Sequence, residues 1–342
     1  MFSRAIPRLA GLALALATLV VACPATSAGG VRAEIPIREI ILSDGTRRYA
    51  LALTVGATPV TAGLDTGSTG LRILPGVLAP NDAEAGQRSV TYSYGTGVEL
   101  RGTLGHGRLT LGAPAVSGEI VLHLVRAVGC RADRPDCPAA RVPARAYGIE
   151  GDGLLGQGFA AIIGLNMAVT DIANPLVQLG VRRWIVELPR PGDTRPGRLI
   201  LDPSPQETRG YSLIPLDPAF ADRRDGEHDV VDACVINHRS GQRLCGPLLM
   251  DTGDPGLRIV TRAVLRPWPN GTPVTVAFLD HGKAAIATDI DIGRRDQASR
   301  LTTVTNPMVD GPHLYAGLIP YFAFSVLYDP EHGAIGLKAR EP

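Results

Sequence analysis

Apolar residues along this chain fall in short runs separated by glycine, proline and polar turn residues, and no stretch sustains a helical period. On that pattern Tyr49–Val55 and Leu213–Leu216 read as strands between turns. Two further apolar runs, Val60 to Leu64 and Leu248 to Met250, each lead into a tight-turn phrase, and it is the same phrase. Asp65-Thr66-Gly67-Ser68-Thr69-Gly70-Leu71-Arg72-Ile73 returns as Asp251-Thr252-Gly253-Asp254-Pro255-Gly256-Leu257-Arg258-Ile259, with seven of nine positions identical. A strand ending in a carboxylate-bearing turn, repeated at long range, predicts an all-β chain of two similar lobes that each bring one Asp to a shared site.

The pattern is different at the start of the chain. Arg4 and Arg8 precede an apolar stretch, Leu9 to Ala22, that ends in small residues. A basic start, a short apolar middle and a small-residue exit read as a secretory signal, too short to span a bilayer comfortably. Two exits stay open. Cleavage after Ala28 (signal 1–28) would release a soluble periplasmic or secreted protein. Val20-Val21-Ala22-Cys23 resembles a bacterial lipoprotein box, which would remove 1–22 and anchor the chain to a membrane through lipidated Cys23. The lobes are expected over 29–190 and 191–342.

Composition narrows the function. A formal net charge of +1 provides no basic field for phosphates, so nucleic acid is not an expected partner. The four cysteines beyond Cys23 are an even number in an exported chain, which is read as disulfides. Their spacing favours two local bridges, Cys130–Cys137 and Cys234–Cys245. The seven histidines show no ligand spacing, so neither a metal nor another cofactor is expected. The acidic stretch Asp222 to Asp232 is interrupted by Arg223 and Arg224 and reads as a solvated loop.

With these residues in hand, the chain resembles the pepsin-like aspartic peptidases over nearly all of its mature length. The two Asp-Thr-Gly turns correspond to one triplet per lobe. Thr91–Gly97 is similar to that family's flap, a hairpin over the cleft, with Tyr94, Gly95 and Thr96 at its tip. Asp152-Gly153-Leu154-Leu155-Gly156 resembles the segment that threads behind the first Asp turn. Trp184–Leu188 and Gly197–Leu201 resemble the strands closing the first lobe, and Phe324–Asp329 and Gly333–Leu337 those closing the second. The resemblance implies a bilobal pepsin-like fold and a monomeric aspartic endopeptidase acting on extended, partly apolar peptide or protein substrates. Asp65 and Asp251 would be the catalytic pair. Thr66, Gly67, Ser68, Thr252, Gly253 and Asp254 would support it, with each threonine hydroxyl tied to the opposite lobe.

The residue types suit that chemistry on physical grounds. Two adjacent carboxylates cannot both ionise, so the pair retains one proton and can act as base toward a water and as acid toward an amide. A non-catalytic pepsin-fold binding or inhibitor protein is the alternative, but both triplets are intact here. Three departures stand out. Asp254 replaces the hydroxyl expected opposite Ser68, and it either faces the pair or turns outward to cap its own turn. Arg72 occupies the place of a tryptophan that supports the flap tyrosine, leaving Tyr94 without that partner. The stretch between export signal and first strand is too short for an inhibitory prosegment, so no zymogen is expected.

Overall fold

The structure is a computed structural model that describes residues 1, 30–220 and 228–341. The signal, Cys23 and the 221–227 part of the acidic stretch lie outside the described residues. The chain is almost entirely β. Its first half contains β1 (Ala33–Ile41), β2 (Arg47–Val55), β3 (Thr58–Asp65), β4 (Thr69–Ile73), β5 (Ala83–Ser93), β6 (Val98–Leu111), β7 (Val116–Cys130) and β8 (Ala161–Leu165). Next come β9 (Trp184–Glu187), β10 (Gly197–Leu201) and β11 (Ser212–Pro215). The second half continues with β12 (Val230–Asn237), β13 (Arg243–Leu249), β14 (Leu257–Thr261), β15 (Pro273–Asp280) and β16 (Lys283–Asp291). It ends with β17 (Leu301–Thr305), β18 (His313–Tyr315), β19 (Phe324–Asp329) and β20 (Ala334–Ala339). The helices α1 (Pro175–Gln178) and α2 (Ile319–Ala323) are single turns. Among the described residues no helix is long and apolar enough to cross a membrane.

The strands assemble into a sheet of thirteen and a sheet of seven. In β1 the buried Ala33, Ile35 and Ile37 alternate with outward Glu34, Pro36 and Arg38, as one covered face requires. β4, β8 and β19 are buried along their whole length; β8 is apolar throughout, whereas β4 also buries Thr69 and Arg72 and β19 buries Ser325 and Asp329. One continuous apolar core draws on both halves. At its middle Trp184 of β9 stacks on Tyr328 of β19, with ring centroids 5.6 Å apart and planes 10° from parallel.

The repeated phrase has a topological counterpart. β8 lies between β3 and β4, parallel to the first, with Asp65 opposite Gly164, and antiparallel to the second, with Gly70 opposite Gly164. In the second half β18 lies between β13 and β14 in the same senses, pairing Leu249 with Tyr315 and Arg258 with Tyr315. A parallel strand then flanks each copy, β7 on β4 and β17 on β14. β9 and β10 sit between β1 and β19, so the large sheet carries strands of both halves, including β10, which lies beyond residue 190.

One assignment needs correction. The strand behind the first Asp turn is Ala161–Leu165, with Ile162-Ile163-Gly164 at its centre, and not Asp152–Gly156. That passage needs a strand buried on both sides and a glycine beside the turn: a Cβ on Gly164 would lie 2.5 Å from the Ser68 carbonyl oxygen. Asp152–Gly156 cannot supply this. Asp152, Gly153 and Gly156 have φ of 51°, 74° and 70°, and Leu155 is 69% exposed.

Candidate active site

The two Asp turns are built alike. The Gly67 N–H donates to Asp65 Oδ1 at 2.8 Å, and the Gly253 N–H donates to Asp251 Oδ1 at 2.8 Å. Here glycine is needed for space. A Cβ on Gly67 would lie 2.5 Å from Asp251 Oδ2; one on Gly253 would lie 3.1 Å from Asp251 Oδ1 and 3.2 Å from Asp65 Oδ1. The carboxylates of Asp65 and Asp251 therefore converge on the turns themselves.

Beneath them the threonines cross between the two halves. Thr66 N–H donates to Thr252 Oγ1 and Thr252 N–H to Thr66 Oγ1, both at 3.0 Å. Thr66 Oγ1 donates to the Met250 carbonyl at 3.1 Å, and Thr252 Oγ1 to the Leu64 carbonyl at 2.6 Å. Each hydroxyl thus both accepts from and donates to the backbone of the opposite half's strand end, and both threonines are buried. At about 1 kcal/mol per buried hydrogen bond, the crossing is worth several kcal/mol to the joint between the halves. From α2, Tyr321 reaches Thr66 Oγ1 at 2.8 Å and Tyr328 at 2.5 Å, a support that nothing in the sequence pattern announced.

The mismatch between the copies makes the pair unequal. Ser68 Oγ donates to Asp65 Oδ2 at 2.5 Å, a second donor for that carboxylate. Asp254, its counterpart, turns away and caps its own turn. Its Oδ1 accepts from the Gly256 N–H at 3.2 Å, and its Oδ2 lies 3.5 Å from Arg258 Nε. Asp251 is left with one donor. Burial, then the charges of Asp65 and Asp254, push its carboxyl well above the ordinary range, against the Gly253 N–H, which works the other way.

The β5–β6 hairpin covers this region. Tyr94, Gly95 and Thr96 occupy its tip, where the Tyr94 carbonyl accepts from the Gly97 N–H at 2.9 Å. Tyr94 packs sideways into the cluster of Val98, Leu100 and Ile149. Tyr92 is the tyrosine tied to the strand that leaves the Asp65 turn: its ring lies 3.5 Å from Cζ of Arg72 on β4. The hairpin therefore has a tyrosine with a partner, and the pair is Tyr92 on Arg72. Arg72 is 1% exposed, and its Nε and Nη1 make no hydrogen bond. Its strand neighbour His123 is pushed down to about 4 by burial and then by the Arg72 charge, so it is neutral at neutral pH. A ring over a desolvated guanidinium is worth about 2 kcal/mol, roughly thirtyfold in a rate or equilibrium. If the site cleaves peptides as proposed below, Tyr92→Ala is expected to lower kcat/KM by about thirtyfold, and Tyr94→Ala by less. Equal losses would return the cleft role to Tyr94.

Two residues that motif reading missed complete the site. Glu150 follows Gly148-Ile149 with φ of 60°, a left-handed conformation that an L side chain adopts only when its surroundings enforce it. Both of its carboxyl oxygens are buried without a hydrogen-bond partner. Arg48 of β2, 3% exposed, donates from Nε to the Glu150 carbonyl at 3.1 Å and from Nη1 to the Gly253 carbonyl at 2.8 Å. Its Nη2 bonds both Asp152 oxygens at 2.9 Å. One guanidinium thus ties the first half to the second Asp turn. The visible signal was an acidic residue among glycines, Gly148-Ile149-Glu150-Gly151-Asp152-Gly153, which carries no motif.

Two disulfides join Cys130 to Cys137 and Cys234 to Cys245, with Cα atoms 5.6 and 4.0 Å apart. The first closes a loop that braces the β5–β6 hairpin, since Arg134 Nη1 donates to the Gly95 carbonyl at 2.6 Å and the Arg131 N–H to that of Gly97 at 2.9 Å. A groove of about 510 Å³ lies elsewhere, on the outer face of β9, β10 and β19, lined by Ile185, Glu187, Arg198 and Ser325. Convergent buried carboxyls, rather than open volume, mark the Asp turns as the candidate site. No family model and no curated protein sequence matches this chain.

Proposed function

We propose that this protein is an exported aspartic endopeptidase of the pepsin-like type, with Asp65 and Asp251 as its acid–base pair. The observation that carries the reading is the pair of matched Asp-Thr-Gly turns, each between strands split by a third, with their threonines crossing and their carboxylates converging. A topology repeated around one site is what a chemistry needing two like groups requires. In this reading the shared proton rests on Asp251, which has one donor and a like-charged neighbour. Asp65, held by Gly67 and Ser68, takes a proton from a water as it attacks the peptide carbonyl. Asp251 gives its proton to the carbonyl oxygen; as the C–N bond breaks, Asp65 passes the water's proton to the amide nitrogen and Asp251 regains one from a hydroxyl of the tetrahedral intermediate, which restores the pair. The hairpin with Tyr92 excludes bulk water over an extended substrate.

Export is part of the same proposal and rests on the leader pattern together with the disulfides, which persist outside the cytoplasm. The test is a digest of a diverse peptide library by the mature protein from about pH 3 to about pH 8, with and without pepstatin. Pepstatin-sensitive cleavage within peptides is the expected result. Intact peptides at every pH would sink the proposal.

A further inference from the structure

Glu150 has no role in the mechanism above, yet its carboxyl is placed within the acid–base site. A Cβ on Gly253 would lie 3.1 Å from Asp251 Oδ1, 3.2 Å from Asp65 Oδ1 and 3.2 Å from Glu150 Oε1. Three carboxyl oxygens thus surround one point, and none is farther from another than twice that distance. Room for the third comes from Gly63 of β3, where a Cβ would lie 3.1 Å from Glu150 Oε2. Charged and titratable groups face Glu150 from several elements: Arg48 of β2, Asp65 at the end of β3, Asp251 just after β13, and Tyr147 and Asp152 of its own segment. Arg48 does not neutralise it, because that guanidinium bonds the Asp152 carboxylate and two backbone carbonyls.

We propose that Glu150 is a positioning residue of the Asp65–Asp251 pair: its buried carboxyl shares the pair's proton load, and as it ionises its charge holds the pair's remaining proton to higher pH. The inference rests on those two residues being the reacting pair. Burial first, then the charges of Asp65, Asp251 and Asp152, push the Glu150 carboxyl well above the ordinary range, and Arg48 opposes them. Three adjacent carboxyls in one enclosed site titrate as a unit, so the proton whose loss ends activity belongs to the group. A carboxylate at this range through partly polar protein shifts a neighbour by on the order of one pH unit.

The experiment compares the full-length mature protein with Glu150→Gln, a neutral side chain of the same size. Activity is read as kcat/KM against pH on a quenched fluorescent peptide taken from the library digest. The alkaline limb of the variant is expected about one pH unit lower, with the acid limb unchanged. Thermal unfolding gives a readout independent of activity. The unfolded chain releases the Glu150 proton near ordinary carboxylate pH and the folded protein releases it only at higher pH, so stability falls as pH rises between the two. The fall of Tm between about pH 4 and about pH 8 should therefore be shallower in Glu150→Gln than in the wild type. Coincident alkaline limbs would overturn the coupling to the pair, and parallel Tm curves would overturn the retained proton. Asp65→Asn run alongside separates the two layers: undiminished cleavage there would remove the acid–base reading itself, whatever Glu150 does.

Discussion

Asp65→Asn and Asp251→Asn are each expected to lower peptide hydrolysis by at least about 10³-fold while the protein stays folded. Asparagine keeps the shape of each side chain and its acceptance of the glycine N–H, so the crossed threonines and the strands around them lose no partner. What disappears is a titratable oxygen on one side of the pair. Asn at 65 removes the base that deprotonates water, and Asn at 251 removes the acid that protonates the carbonyl. The two losses should not add in the double variant, because either alone ends the proton exchange. Asp251→Asn also replaces a group whose proton is held by burial and by Asp65, so this variant should be the less destabilised at neutral pH. The measurements are single-turnover cleavage of a library-derived peptide and a melting curve for each variant. Cleavage within tenfold of wild type in both would mean that the carboxylates are structural.

The second large effect comes from a single methyl group. Gly67→Ala is expected to cost about 10²-fold in kcat/KM, and Gly253→Ala only several-fold, although the two glycines hold the same place in the repeated phrase. A Cβ added at Gly67 would arrive 2.5 Å from Asp251 Oδ2 and 2.6 Å from Oδ1, inside any real contact distance, so the Asp251 carboxylate must move by roughly 1 Å. A displacement of that size in a reacting group is worth about two orders of magnitude. At Gly253 the same atom meets its neighbours at 3.1 and 3.2 Å, and small side-chain shifts absorb the strain. Neither glycine has positive φ, so the contrast is steric rather than conformational. Steady-state kinetics on the two variants decides it. Equal losses would show that the halves are equivalent around the pair.

Much of this protein is legible before it is folded. The short apolar runs and dense turn residues correspond to an almost all-β chain, and the local cysteine spacing corresponds to the two disulfides found. Sequence spacing places Tyr94 at the hairpin tip, but Tyr92 and Tyr94 share one face of that hairpin, and only the folded structure shows that Tyr92 is the one whose ring meets Arg72. The strand behind that turn was misread for a related reason. Asp152-Gly153-Leu154-Leu155-Gly156 and Ala161-Ile162-Ile163-Gly164-Leu165 both offer apolar residues before a glycine, and only the pairing of Gly164 with Asp65 and Gly70 distinguishes them.

By itself, the sequence determined what is local: which runs become strands, where the two carboxylate turns lie, and that the turns are copies unequal at Ser68 and Asp254. Hydrophobic periodicity and turn chemistry act over a few residues, so they can be read along the chain. Tertiary structure alone decided that Asp254 faces its own turn and that Arg72 lies beneath Tyr92. It also brought Arg48 and Glu150, about a hundred positions apart, to the two Asp turns. These outcomes depend on which strands cross and on which charges are then left without water. Burial and proximity arise only when the two halves close on each other, and they turn an acidic residue among glycines into a third carboxyl at the site.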